Sequence, residues 1–376
     1  MIDKILLFPY WLALKTRHLL YDNGIKKVYK PSVPSVCIGN ITVGGTGKTP
    51  HTEMVIRTLM AQDECYGKNI AVLSRGYKRK SKGFQQVMAE GRAVDYGDEP
   101  LQIKKKFPAI TVAVDKSRAE GCRFLTDPES VKTSKKGRNC IHKDFPKADI
   151  IILDDAFQHR AVKADLNIVL VDYNRPICKD SLMPIGKLRD LPSRIDAADI
   201  VVVSKCPKYM DGWEKGKWAD MLGLNYYDIS ACTGTRKGGK KQHLFFTTIA
   251  YDTPKAIFPE GDPRYLYAQK LILFTGIAND APLARHLTST YQIVKHFNFP
   301  DHHKFTRGDI LSIRNAADNF PTSVIMTTEK DCQRVRDSKA VPESLKRKLF
   351  YAPIKTEFLS EEEHNIFTSI LLSYLK

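Results

Sequence analysis

The sequence predicts an α/β protein built on a doubly wound, mostly parallel sheet, with a smaller C-terminal α/β domain joined to it by a β-hairpin linker. Three observations carry that expectation. A short apolar run at 36–39 feeds a Gly-rich turn, and Gly47-Lys48-Thr49 then opens a segment with helical spacing at Val55 and Leu59. Further β-branched runs at 69–74, 110–114, 149–153, 167–172 and 199–204 recur with longer segments between them, the rhythm of buried parallel strands joined by crossover helices. One of these runs, Ile150-Ile151-Ile152-Leu153, ends in Asp154-Asp155, so an apolar strand delivers two carboxylates downstream of the Gly-rich turn. Together they describe a P-loop NTPase-like arrangement, with nucleotide expected at the carboxyl ends of the strands.

Taken in order, the chain begins with an apolar stretch at 5–14, interrupted by Pro9 and followed by Lys15, Arg17, Lys26, Lys27 and Lys30. It is too short to span a bilayer and no small-residue cleavage site follows. Two readings stand at this point: a helix lying on an anionic leaflet, or a helix packed on the protein's own core.

The Gly-rich turn comes next. Thr42 occupies the position where G-x-x-x-x-G-K-[ST] asks for glycine, but Gly44 and Gly45 supply permissive backbone inside the loop. Val43 stands where a related group of dimeric ATPases carries lysine, which argues against that group. Thr42, Val43, Gly44, Gly45, Thr46, Gly47, Lys48 and Thr49 are the expected nucleotide cradle. Backbone N–H groups and the helix start meet the phosphates, Lys48 can reach the β- and γ-phosphates of a nucleoside triphosphate, and Thr49 can hold Mg²⁺.

A basic loop follows at 75–82, and a second basic stretch at 133–138 reads as a surface insertion with no assigned role. Residues 207–223 read as an amphipathic helix with Trp213 and Trp218. The stretch 226–249 holds two strand-like runs around the polar loop 234–241. From 271 the β/α rhythm resumes, at 271–275, 291–297 and 323–327. The expected division is an N-terminal helical segment at 1–30, a P-loop domain at 31–225, the hairpin linker at 226–268 and the smaller domain at 269–376.

Composition narrows the partners. Lys and Arg outnumber Asp and Glu by 59 to 42, a net charge of +17, which favours nucleic acid, an acidic membrane or a phosphorylated substrate, with scattered solvated lysines accounting for part of it. The eight cysteines are dispersed, with no C-x-x-C pair, as in a reducing cytosol.

Two further clusters carry chemistry. Asp98, in Gly97-Asp98-Glu99-Pro100, reads locally as the N-cap of a helix. The segment 299–306 places Asp301, His302 and His303 in one loop, which fits a metal site, a proton relay or an Asx turn equally.

The motifs in their order resemble the tetraacyldisaccharide 4'-kinase (lipid A 4'-kinase) family of Gram-negative bacteria. Those motifs are the loop from Gly39 through Pro50, Ser74-Arg75-Gly76-Tyr77, Gly97-Asp98-Glu99-Pro100, Asp154-Asp155-Ala156-Phe157-Gln158-His159-Arg160, Leu188-Arg189-Asp190, Asp301-His302-His303 and Thr327-Thr328-Glu329-Lys330-Asp331. The resemblance implies an ATP- and Mg²⁺-dependent kinase. Its acceptor would be the 4'-hydroxyl of an acylated glucosamine disaccharide 1-phosphate, at the cytoplasmic face of the bacterial inner membrane. It makes Asp98 the base, working with His302, overriding the N-cap reading. Lys48 acts on the transferring phosphoryl group, and Thr49, Asp154 and Asp155 serve the metal. Asn40, Arg75, Tyr77 and Arg189 are expected at the substrate. The chain departs from the family at Ala156, usually Gly, and at Asp190, usually Glu.

With a lipid substrate implied, the N-terminal segment reads as a peripheral membrane anchor rather than a core helix. A GTPase switch is disfavoured because Asn-Lys-x-Asp is absent and Ser204-Lys205-Cys206-Pro207 is a poor substitute. A nucleic-acid-dependent ATPase has only the net charge in its favour, so neither nucleic acid nor an obligate protein partner is expected.

Overall fold

Continuous apolar runs form strands that are covered by helices on both faces, and that is how the large sheet of this chain is built. The computed structural model describes residues 2–301 and 303–375, with backbone alone for 2–6. The large sheet takes β1 (Ser35–Gly39), β2 (Ile70–Ser74), β3 (Gln85–Gln86), β4 (Thr111–Val114), β5 (Ile150–Asp154), β6 (Leu166–Asp172), β7 (Ile200–Ser204), β8 (Asn225–Asp228), β9 (Thr233–Thr235) and β10 (Lys241–Tyr251). Their spatial order is β3-β4-β2-β5-β1-β6-β7-β10-β9-β8. From β4 across to β10 every pairing is parallel. β1 therefore lies in the middle of the sheet, between β5 and β6, and the loop that leaves it opens at the carboxyl edge where ligands of such sheets collect.

A second sheet takes β11 (Lys255–Ala256), β12 (Lys270–Thr275), β13 (Gln292–Asn298), β14 (Val324–Thr328) and β15 (Leu349–Ala352), in the order β11-β15-β14-β12-β13. Its two faces bury separate apolar clusters, one around Phe274 and Ile310, the other around Leu273 and Met326. β16 (Ile354–Phe358) then leaves it and pairs antiparallel with β10 of the large sheet.

The stretch expected as a hairpin linker does contain an antiparallel β9–β10 pair, but it does not stand apart. β10 also pairs in parallel with β7, and its Leu244, Phe245 and Phe246 are fully buried, so burial on both faces makes it an interior strand. The last helix, Glu361–Ser373, likewise departs from the expected division at 269. Its Phe367 and Leu371 pack beside Phe245 in the large sheet's core, each burial being worth about 2 kcal/mol.

The first helix, Ile2–Asp22, continues through Pro9. Leu14 and His18 are buried, and Leu7, Tyr10 and Trp11 lean on the core of the large sheet. Phe8, Leu12 and Leu19 are 46–55% exposed and fall along one line of the helix. Helical geometry thus gives this segment two apolar faces, one packed on the protein's own core and one turned outward. Among the described residues no helix is long and apolar enough to cross a membrane.

Candidate active site

The loop after β1 closes on the helix Lys48–Met60, whose N-cap is Gly47 at φ 85°. Gly44 also has a positive φ, of 111°. The Val43 amide donates to the Lys187 carbonyl at 2.7 Å and the Thr46 amide to the Gly44 carbonyl at 3.0 Å, which fixes the loop. Lys48 and Thr49, in the first helical turn, have amides that the helix itself cannot satisfy, and these suit an anion. His51, a turn later, is buried between the Gly47 carbonyl at 2.7 Å and the Thr247 hydroxyl at 2.9 Å. A carbonyl can only accept, so Nδ1 carries the proton and Nε2 accepts from Thr247. Burial pushes the ring down to about 4, keeping it neutral.

β5 brings its two carboxylates to the same edge. Asp154 is 1% exposed; one oxygen accepts from the Thr52 hydroxyl at 3.1 Å, and the other is buried with no partner. Burial, with Glu99 and Asp155 nearby, raises its carboxyl to about 6. Asp155 behaves oppositely. Burial works to raise it, but Lys48 and Arg189 outweigh burial and hold it below its ordinary value. Lys48 Nζ lies 3.9 Å from Asp155 Oδ1, and Arg189 Nη2 lies 2.5 Å from the same oxygen. Asp155 takes a positive φ of 48°, whereas Ala156 does not, so alanine in place of the family's usual glycine carries no backbone penalty.

Asn40, expected to touch substrate, is instead fully buried. Its Oδ1 accepts from Arg189 at 2.6 Å and its Nδ2 donates to the Thr46 hydroxyl at 2.7 Å, so it links Arg189 to the nucleotide loop. Asp190 points away from these groups, into a buried pair with His18 at 2.6 Å.

Asp98 is the first residue of the helix Asp98–Lys106; the N-cap is Gly97 at φ 98°, not Asp98. A Cβ on Gly97 would sit 3.3 Å from Gly76 Cα and from the Tyr77 carbonyl oxygen. That close approach brings the backbone of the loop after β2, at Gly76 and Tyr77, against the start of the Asp98 helix, with Arg75 and Tyr77 exposed in that loop. The adjacent Glu99 acts electrostatically on Asp154, which ties this helix start to the carboxylates of β5. Asp98 pairs with Arg334, from the helix Glu329–Arg336 of the second sheet's unit, at 2.8 Å. His302, expected to work with Asp98, lies outside the described residues. Its neighbour His303 pairs with Asp309 at 2.9 Å, and Asp301 with Lys330 at 3.6 Å.

Among the residues sequence reasoning missed is Arg118, 2% exposed, which donates to the carbonyls of Asp154 at 2.9 Å and Asp115 at 2.6 Å and so holds the end of β5. Glu99, His51, Gln158 and Arg334 were missed as well. Only Glu99 and Gln158 carried a signal, since both sit inside motifs already noted.

The orphaned Asp154 oxygen, and Thr49 on the same helix as the Thr52 that donates to Asp154, are hard oxygen donors of the kind Mg²⁺ accepts alongside phosphate and water. Among the described residues no group of three or more Cys, His, Asp or Glu is arranged to hold a metal ion.

Comparison with known proteins identifies this architecture. A family model described as tetraacyldisaccharide-1-P 4'-kinase matches residues 4–375. Tetraacyldisaccharide 4'-kinase of Phocaeicola vulgatus is 37% identical over 373 residues, 98% of this chain and 93% of that protein. The Flavobacterium johnsoniae enzyme of the same name is 35% identical over 378 residues, covering 99% and 97%. The crystal structure of "apo" form LpxK from Aquifex aeolicus in complex with ATP has the same fold, with a TM-score of 0.68 at 23% identity over 100% of both chains. The chain belongs to the tetraacyldisaccharide-1-P 4'-kinase family.

Proposed function

We propose that this chain transfers the γ-phosphate of ATP to the 4'-hydroxyl of a tetraacyldisaccharide 1-phosphate, in lipid A biosynthesis. The observation that carries the reading is the unsatisfied, buried oxygen of Asp154 at the end of β5, in the strand next to the one that feeds the Gly-rich loop. A buried carboxylate left without a partner costs stability and is expected where a ligand completes it.

The residues divide the work. The loop 42–49 cradles the phosphates, and Lys48 carries positive charge to the transferring group. Asp155 holds Lys48 and Arg189 together as a pair of cations at the loop's mouth. Thr49, Asp154 and Asp155 would hold Mg²⁺, which when bound neutralises charge on the β- and γ-phosphates. Asp98 accepts the proton of the attacking hydroxyl, working with His302. Arg75, Tyr77 and Arg189 receive the acceptor's sugar and phosphate, and Asn40 acts through Arg189. Movement of the smaller unit over the site excludes water.

The outer line of Phe8, Leu12 and Leu19, with Lys15 on the same helix, suits shallow insertion into an anionic leaflet. The protein acts as a peripheral enzyme at the cytoplasmic face of the inner membrane, where an acylated acceptor and ATP meet.

The test is transfer of label from [γ-³²P]ATP, with Mg²⁺, to a detergent-dispersed tetraacyldisaccharide 1-phosphate. Wild-type protein labels the lipid and Lys48→Ala does not. No labelling by the wild type, or equal labelling by both, contradicts the proposal.

A further inference from the structure

We infer that Arg334 is a positioning residue for Asp98, setting the carboxylate in the orientation from which it takes a proton. The inference rests on the reading of Asp98 as the base. Arg334 Nε and Nη2 both donate to Asp98 Oδ2, at 2.9 and 2.8 Å. Its third nitrogen, Nη1, donates to Asp331 Oδ1 at 2.8 Å. A guanidinium is planar, so a fork closed on one carboxylate and braced by another fixes a plane as well as a charge.

The brace is itself rigid. Asp331 is fully buried, and its Oδ2 accepts from the Gly276 amide at 2.8 Å and the Thr328 hydroxyl at 2.7 Å. Gly276 follows β12 and Thr328 ends β14, so the carboxyl edge of the second sheet reaches the base through Asp331 and Arg334. Arg334 is only 8% exposed against 20% for Asp98, so the arginine is the more deeply buried member of the pair.

An ion pair between two units also serves simply to hold them together, but other contacts already do so here. Lys106 Nζ meets Glu329 at 2.8 Å and Lys105 Nζ meets Gln333 at 2.9 Å, joining the same two helices. Removing Arg334 therefore leaves the helices tied while freeing the base. Lys105→Gln is the matching control, since it cuts a tie without touching Asp98.

Steady-state kinetics on the full chain test this, with acceptor lipid in detergent. Arg334→Gln is expected to lower kcat by about 10²-fold with the ATP KM within about twofold of wild type, because the nucleotide loop is untouched. Arg334→Lys, which offers charge without the fork, falls between, and Lys105→Gln stays near wild type. In an Asp98→Asn background, Arg334→Gln causes no further loss. Wild-type kcat in Arg334→Gln, or a full additional loss in the Asp98→Asn background, overturns the inference. If Arg334→Gln fails to fold, Arg334→Lys decides: a reduced kcat at unchanged ATP KM supports the inference and an unchanged kcat overturns it. Should Asp98→Asn itself keep wild-type turnover, the base assignment fails. Should Asp98→Asn be inactive while Arg334→Gln is fully active, only the positioning role fails.

Discussion

His18 Nε2 lies 2.6 Å from Asp190 Oδ1, in a pair of which His18 is 7% exposed and Asp190 1%. Asp190 directly follows Arg189, whose carbonyl accepts from the Tyr10 hydroxyl at 3.0 Å. Arg17 donates to the Gln158 carbonyl at 2.6 Å, three residues after Asp155. The inner face of the first helix thus holds the two loops that carry Arg189 and Asp155, while its outer face presents Phe8, Leu12 and Leu19.

The two faces are separable by mutation. His18→Ala is expected to lower kcat about tenfold on a short-chain, water-soluble acceptor as well as on acceptor in vesicles, because it loosens Arg189 in both settings. Replacing Phe8, Leu12 and Leu19 together by Asp is expected to lower turnover about tenfold in anionic vesicles and leave the soluble acceptor unaffected. Paired assays on the two substrate forms check this. Equal losses in both forms from the outer-face replacement contradict the division of labour.

Asp154 should oppose stability while serving function. Its folded carboxyl is raised to about 6 from an ordinary 3.8, so the native state holds a proton that the unfolded chain has already released. Stability contributed by that proton is present at low pH and is lost as pH rises through about 6. Asp154→Asn removes the loss. The variant is expected to be more stable than wild type at pH 8 by on the order of 1–3 kcal/mol, with little difference at pH 4, and to lose phosphoryl transfer. Thermal unfolding at the two pH values checks the sign.

Gly97→Ala tests the placement of Asp98 from its backbone side. Gly97 has φ 98° and ψ 153°, a region open essentially to glycine alone, and a Cβ there would lie 3.3 Å from Gly76 Cα. The substitution is expected to cost about 1–3 kcal/mol and to lower kcat with ATP affinity intact. Denaturant unfolding and nucleotide titration measure the two effects separately.

Lys106 joins the P-loop helix to the second sheet's unit, with Nζ 2.7 Å from Glu53 and 2.8 Å from Glu329. Both carboxylates are more than nine-tenths buried, and burial, with Glu329 beside it, raises the Glu53 carboxyl against the pull of Lys106. Lys106→Met leaves two buried acids facing each other and is expected to destabilise by roughly 3 kcal/mol at pH 8. Because protonation relieves that repulsion, the penalty shrinks toward pH 5. A pH-independent penalty contradicts the account.

The strands of the large sheet were legible because burial on both faces leaves an uninterrupted apolar run, as in 150–153, and the nucleotide loop because glycine and lysine spacing is short-range. Asp154 was legible for a related reason: a carboxylate ending such a run stands out. Arg334 and Lys106 were not, since their partners lie 236 and 223 positions away, and on amphipathic helices they look like ordinary solvated charges. Periodicity marked the first helix as apolar without saying that one face packs and another does not. The closing helix was hidden similarly, because nothing local records that Phe367 meets Phe245.

The most direct test of the account is the position and dependence of the new phosphate. Product from the acylated disaccharide 1-phosphate, examined by ³¹P NMR with proton correlation, should carry a second phosphomonoester on the 4' carbon. Asp98→Asn should abolish that signal while binding ATP with wild-type affinity. Phosphate at another position, or 4' product at the wild-type rate from Asp98→Asn, would contradict it.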